Sequence, residues 1–174
     1  MNKSCPRVLA LDVHARHAGF AALEGSDRLI DWGLLYFANS RTQPARGVAN
    51  QLARLISRCR PGWIVVTMPA NQTLARERLH EIGETVARLA RQSGIRLCEM
   101  PRQQVLEALG ARTRYAAALQ VAERFPALGA RLPKRRKIWQ SEQARMSTFD
   151  ATAAGIAFYR ERQRRARRTA RRAA

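Results

Sequence analysis

Few residues in this chain are placed to do chemistry. Asp12 ends the apolar run Val8-Leu9-Ala10-Leu11, and a second apolar segment resumes at Gly19 after a short polar stretch. A strand that delivers a carboxylate at its carboxyl end, followed at once by an antiparallel return, leaves room beside it for a metal and a phosphate. The same placement suits an aspartate that only closes a strand into a turn, and on these residues alone that plainer reading carries more weight. His14 lies just past Asp12, where it could bind a metal or position water, although a lone loop histidine is the commoner case. A second aspartate, Asp150, opens the small-residue segment Phe149-Asp150-Ala151-Thr152-Ala153-Ala154-Gly155.

The elements that must position these residues are legible from hydrophobic patterning. Residues 8–11 and 19–23 read as two strands, and the aromatic and aliphatic run 29–37 as a third, so that tight connections make an antiparallel meander. Val48, Leu52, Leu55 and Ile56 recur at helical spacing until Pro61-Gly62 stops the helix. Trp63-Ile64-Val65-Val66-Thr67-Met68 is nearly continuous in apolar content, the pattern of a central parallel strand covered on both faces. Ala75, Leu79, Ile82, Val86 and Leu89 mark a long amphipathic helix, and residues 95–100 a fifth strand. Pro101 opens a short helix, another follows Gly110, and residues 126–142 have the least regular pattern. A last helix starts at Thr148, and its small residues allow close packing on a sheet. The order predicts a mixed α/β sheet of five strands with helices on both faces.

Charge is the strongest compositional signal. The 174 residues carry 32 Lys+Arg against 13 Asp+Glu, a formal net charge of +19. Residues 160–174 hold eight arginines and one glutamate, which leaves +12 on residues 1–159. The basic character therefore belongs to the predicted folded domain (1–159) as well as to the arginine-rich tail (160–174), and it points to nucleic acid. The tail has too little apolar matter for a membrane surface. No apolar run approaches a bilayer span, and the sequence lacks the long apolar core of a signal peptide, so the expected location is the cytoplasm. Cys5, Cys59 and Cys98 are an odd number without a CxxC spacing, which favours reduced, structural thiols.

Val8-Leu9-Ala10-Leu11-Asp12, the return at Gly19-Phe20, the junction Pro101-Arg102-Gln103-Gln104-Val105 and the motif Asp150-Ala151-Thr152-Ala153-Ala154 together resemble the RuvC family of Holliday-junction resolvases, of the ribonuclease H-like superfamily. The resemblance covers residues 8–159. It implies a ribonuclease H-like fold, a homodimer, branched DNA as the partner, and phosphodiester hydrolysis by water with Mg2+ or Mn2+ held by a carboxylate cluster. Asp12 matches that family's first metal ligand and Asp150 a late one, with His14 as an additional candidate. Gly110, Arg112 and Arg114 take similar places to the family's glycine turn and substrate lysine. Arginine keeps that contact type because it binds phosphate bidentately. Arg102 and the run Lys134-Arg135-Arg136-Lys137 are further candidate nucleic-acid contacts.

The chain departs from the family pattern where charge matters most. The family's fourth-strand glutamate is replaced by Val66-Thr67-Met68-Pro69, and the partner position of Asp150 is Ala153 or Ser147. Several ionised carboxylates are needed to offset two divalent ions, and two survive here. Glu99 and Glu142 are the only nearby acids to consider, and neither restores the cluster. Two readings from different classes result. One is a RuvC-like, magnesium-dependent endonuclease of branched DNA using Asp12 and Asp150. The other is a RuvC-like domain that holds structured DNA or RNA without cutting. A basic RNA-associated protein without nuclease ancestry explains the charge but leaves the placement of Asp12 and Asp150 to chance.

Overall fold

A computed structural model describes residues 5–37, 44–68, 76–135 and 143–173. Strands β1 (Arg7–Val13), β2 (His17–Glu24) and β3 (Leu29–Tyr36) form the antiparallel meander. Strands β4 (Trp63–Thr67) and β5 (Arg96–Glu99) extend it in parallel from β1, giving the order β3-β2-β1-β4-β5. Helix α1 (Pro44–Cys59) precedes β4 and α2 (Arg76–Gln92) precedes β5, as parallel pairing requires of a crossover. Helices α3 (Arg102–Leu109), α4 (Arg114–Arg124), the single turn α5 (Pro126–Gly129) and α6 (Met146–Ala173) follow.

Strand periodicity divides the core into two layers. Leu9, Leu11 and Val13 of β1 pack with Val48 and Leu52 of α1 and with Ile82 and Val86 of α2. Val8 and Ala10 point the other way, into a layer with Val105, Val121, Phe149, Ala154 and Ala157. Asp12 follows Ala10 by two residues and so stands on the α6 face of the sheet. Thr67, two residues after Val65 of that same layer, stands beside it, in register with Asp12.

Helix α6 lies on β1 and β2 because two glycines admit it. A Cβ on Gly19 would sit 2.1 Å from the Ser147 carbonyl, and one on Gly155 would sit 2.5 Å from Leu23 Cδ1. Thr148 Oγ1 donates to the Gly33 carbonyl at 3.0 Å, which ties the helix start to β3 as well. At the far end, the Tyr159 hydroxyl sits 2.6 Å from the Pro6 carbonyl and 3.1 Å from the Leu23 carbonyl. Residues 147–159 are all buried.

The observed elements match the predicted order, with two differences. Helix α6 starts two residues before Thr148, because the Met146, Ser147 and Thr148 amides already bond back to Gln143, Ala144 and Arg145. It also runs on through the arginine-rich segment to Ala173, 28 residues in all. The segment after Phe125 holds a helical turn, α5, followed by exposed Lys134 and Arg135. Arg136, Lys137, Glu142 and Ala75, the first residue marking the long helix, lie outside the described residues.

Candidate functional site

The carboxyl ends of β1 and β4 bring the singled-out residues together. Asp12 is fully buried and Asp150 is 8% exposed. His14 follows Asp12 into the β1–β2 turn, where its amide bonds to the His17 carbonyl at 2.9 Å. Its Nε2 lies 2.8 Å from Asp12 Oδ2. The two carboxylates do not face an open space. Arg102 Nη2 donates to Asp12 Oδ1 at 3.0 Å and lies 4.0 Å from Asp150 Oδ2. Arg114 donates from Nε to Asp150 Oδ2, its Nη2 forms an ion pair with the same oxygen, and that Nη2 lies 3.9 Å from Asp12 Oδ2.

Local sequence explains how both arginines reach this point. Pro101 sets an extended entry into α3 with φ −58° and ψ 144°, which makes Arg102 the first helical residue. Gly110 ends α3 in the left-handed region, and Thr113 caps α4 by accepting from the Ala116 amide, which makes Arg114 the first residue of α4. A cation in the first turn of a helix opposes the macrodipole. Here neither helix has an acidic residue in its first turn, and the carboxylates of β1 and α6 supply the counter-charge from outside.

The electrostatics follow from this geometry. Burial pushes the Asp12 carboxyl up, but His14, Arg102 and Arg114 outweigh it and hold Asp12 below the usual carboxylate range. Burial and the neighbouring Asp12 charge push Asp150 up to about 6, against the pull of Arg114 and Arg102. Asp150 is therefore the member of the pair that takes up a proton first. His17 stacks on His14 with ring centroids 4.7 Å apart and hydrogen-bonds Ser147 Oγ at 3.0 Å. Its pKa is lowered by burial first and by the charges of His14 and Arg114.

A divalent metal does not fit this donor set. Two carboxylates are balanced by two guanidiniums, so an added ion would find a site already neutral. Among the described residues, no group of three or more His, Cys, Asp or Glu side chains could hold a metal. The neighbour of Asp12 on β4 is the Thr67 hydroxyl, which is buried and has no hydrogen-bond partner among the described residues. Ser147 is occupied by His17, Ala153 is buried in the core, and Glu99 is exposed on β5. Met68 belongs to the opposite face, against Gly83 of α2.

The structure thus gathers Asp12, His14, Asp150, Arg102 and Arg114, and shows the last two paired with carboxylates. Arg112 is exposed in the α3–α4 turn, and Lys134 and Arg135 are exposed after α5. Sequence reasoning did not single out His17, nor did it anticipate the ion pairing. The usable signal was a pair of arginines, each just after a strand or turn, in a chain that keeps only two of the carboxylates a metal cluster needs.

No protein-family model matches the chain, and no curated protein matches it. Solved structures do. Thermus thermophilus RuvC superposes with a TM-score of 0.70 at 16% identity over 90% of this chain and 95% of that one. The same protein in complex with a Holliday junction substrate gives 0.69 at 14% identity, again covering 90% and 95% of the two chains. The yeast mitochondrial Holliday junction resolvase gives 0.61 at 11% identity, over 90% of this chain and 79% of that one. The five-stranded mixed sheet with its helices agrees with that likeness, and the chain has the RuvC-like, ribonuclease H-like fold.

Proposed function

We propose that this chain is a RuvC-like nucleic-acid-binding protein that holds branched or structured DNA without hydrolysing it. The observation that carries this reading is the pairing of Arg102 with Asp12 and of Arg114 with Asp150. In a resolvase of this fold, carboxylates at these places would gather divalent cations. Here two guanidiniums supply the positive charge permanently, so the carboxylates are balanced without Mg2+ or Mn2+. Hydrolysis through metal would require both arginines to withdraw, leaving two buried carboxylates with His14 as the third donor.

The cluster's role on this reading is architectural. It joins the carboxyl end of β1 to the starts of α3, α4 and α6 through charge-assisted bonds in a low-dielectric setting. Because Arg102 and Arg114 are held by carboxylates, attraction for phosphate falls to the exposed cations, among them Arg112, Lys134 and Arg135. The net charge of +19 gives the long-range field that gathers a polyanion. A solved RuvC of the same fold has a Holliday junction as its bound partner, which supports branched DNA as the ligand class. A homodimer would match the two-fold symmetry of a four-way junction. The described residues contain no helix long and apolar enough to cross a membrane.

The test uses a labelled four-way junction and a linear duplex of equal length, each with the wild-type chain in EDTA and in Mg2+ or Mn2+. The expected result is tighter binding of the junction in both conditions, with no metal-dependent nicks. Symmetric nicks that require the metal and vanish in Asp12→Asn would overturn this reading in favour of a nuclease with a reduced ligand set. Equal affinity for junction and duplex would overturn the branched-DNA part.

A further inference from the structure

The second half of α6 is unlike any other surface of the molecule. The helix begins at the carboxylate end of the sheet and is anchored at the other end by Tyr159, whose hydroxyl meets carbonyls at the start of β1 and the end of β2. Beyond that anchor, residues 162–172 are all exposed. At 1.5 Å per residue this leaves about 16 Å of helix projecting into solvent. It leaves from the end opposite Asp12, because Arg162 passes over Trp63, the first residue of β4, 5.3 Å from its ring centre. Arg96, the first residue of β5, covers the same ring at 4.3 Å.

The projecting stretch carries arginine at 162, 164, 165, 167, 168, 171 and 172, with no acid among residues 162–172. Glu161 at its base pairs with Arg164 at 2.9 Å. Arg164, Arg167, Arg168 and Arg171 share one helical face, and Arg165 and Arg172 flank it. Arg164–Arg168, Arg167–Arg171 and Arg168–Arg172 are like-charge pairs at i, i+4, each destabilising by about 0.2–0.5 kcal/mol. An isolated segment of this length and charge would not hold a helix in water. It is helical here because the buried half of α6 supplies the nucleus and only propagation remains. The remaining arc holds Gln163, Ala166, Thr169 and Ala170, too little apolar surface to enter lipid.

A rigid comb of arginines kept extended against its own repulsion is complementary to a regular row of phosphates, which arginine binds bidentately. We propose that the projecting half of α6 is a second nucleic-acid-binding element, which takes the phosphate backbone of a duplex independently of the carboxylate end of the sheet. Placed at opposite ends of the sheet, the two elements can hold two duplex segments at once. The helix's own affinity does not depend on the reading of the Asp12–Asp150 end, whereas the simultaneous hold rests on it.

The test replaces Arg164, Arg165, Arg167, Arg168, Arg171 and Arg172 together by Gln in the full chain. Arg160 and Arg162 are kept because they contact the folded body. Linear duplex and four-way junction affinities are measured across a salt series beside the thermal midpoint. With about four phosphates contacted, the slope of log K against log salt becomes shallower by about 3.6 for linear duplex. The expected result is that change with an unaltered midpoint and a larger preference for junction over duplex. Duplex affinity and salt slope equal to wild type would overturn the proposal. So would wild-type binding to vesicles of anionic phospholipid, lost in the variant, with duplex binding unchanged. If junction preference is absent in both proteins while the duplex slope changes, the helix proposal stands and only the branched-DNA reading fails.

Discussion

Arg114→Gln is the perturbation that the site's electrostatics make most informative. Arg114 is the close partner of Asp150, and both side chains are largely buried. Removing one partner of a buried ion pair typically costs about 3–5 kcal/mol, because the charge left behind is uncompensated. The cost here must depend on pH. Asp150 already titrates at about 6, pushed there by burial and by the Asp12 charge. Without Arg114 nothing but Arg102, 4.0 Å away, opposes those effects, so the folded-state value rises further. The folded variant then holds a proton that the unfolded chain has released; stability falls in both proteins as pH rises above about 4, but the fall ends near 6 in the wild type and continues beyond it in the variant. The full loss is expected at pH 8 and a smaller one at pH 5, where Asp150 is protonated. For a chain of this length each kcal/mol moves the midpoint by about 2–4 °C, so the drop at pH 8 is roughly 6–20 °C. Thermal unfolding followed by circular dichroism at the two pH values reads it. Arg114→Gln with Asp150→Asn should recover much of the loss, since an amide carries no charge. Equal destabilisation at pH 5 and pH 8, or a double variant no more stable than the single, would refute the reasoning.

Other consequences are independent of that pair. Asp150→Asn in the otherwise native chain removes a group whose folded value lies above its ordinary 3.8, so the wild-type loss of stability between about pH 4 and 6 should flatten. Urea midpoints across that range check it, and an unchanged slope would contradict the raised value. Gly19→Ala puts a Cβ 2.1 Å from the Ser147 carbonyl, a backbone contact that cannot yield cheaply. Overpacking of this kind costs about 1–3 kcal/mol, and lifting α6 also parts Asp150 from Asp12, so the denaturation midpoint should fall clearly. Phe149→Ala, at a fully buried position, should cost about 3–5 kcal/mol in equilibrium unfolding while leaving the salt dependence of DNA binding unchanged.

Much of the fold was legible because burial in a sheet leaves a repeating mark. The residues of β1 alternate between two covered faces, so the apolar run Val8–Leu11 reads as a strand before any partner is known. The small residues of α6 announced a close contact, which Gly155 makes against Leu23 and Ala10. Asp12 and Asp150 stood out through their places at the ends of such elements. What could not be read was the counter-charge. The resemblance casts Arg114 as a phosphate contact and leaves Arg102 a further candidate, and neither reading carries a carboxylate partner. Their pairing spans 90 residues to Asp12 and 36 to Asp150, and it depends on where α3 and α4 begin in space. His17 on Ser147 was hidden for the same reason, across 130 residues. The local charge of the arginine segment argues against a helix, whereas its attachment to the buried half of α6 makes it one.

The central claim is that guanidinium charge stands where metal charge would otherwise be needed. Mn2+ titrated into the wild-type chain, followed by the electron paramagnetic resonance signal of free Mn2+ with and without bound four-way junction, tests that claim most directly. The account predicts that the signal grows as it does in buffer, with no saturable site that depends on Asp12 or Asp150. A stoichiometric loss of free Mn2+ that disappears in Asp12→Asn would contradict it, and would mean that the two arginines give way to metal.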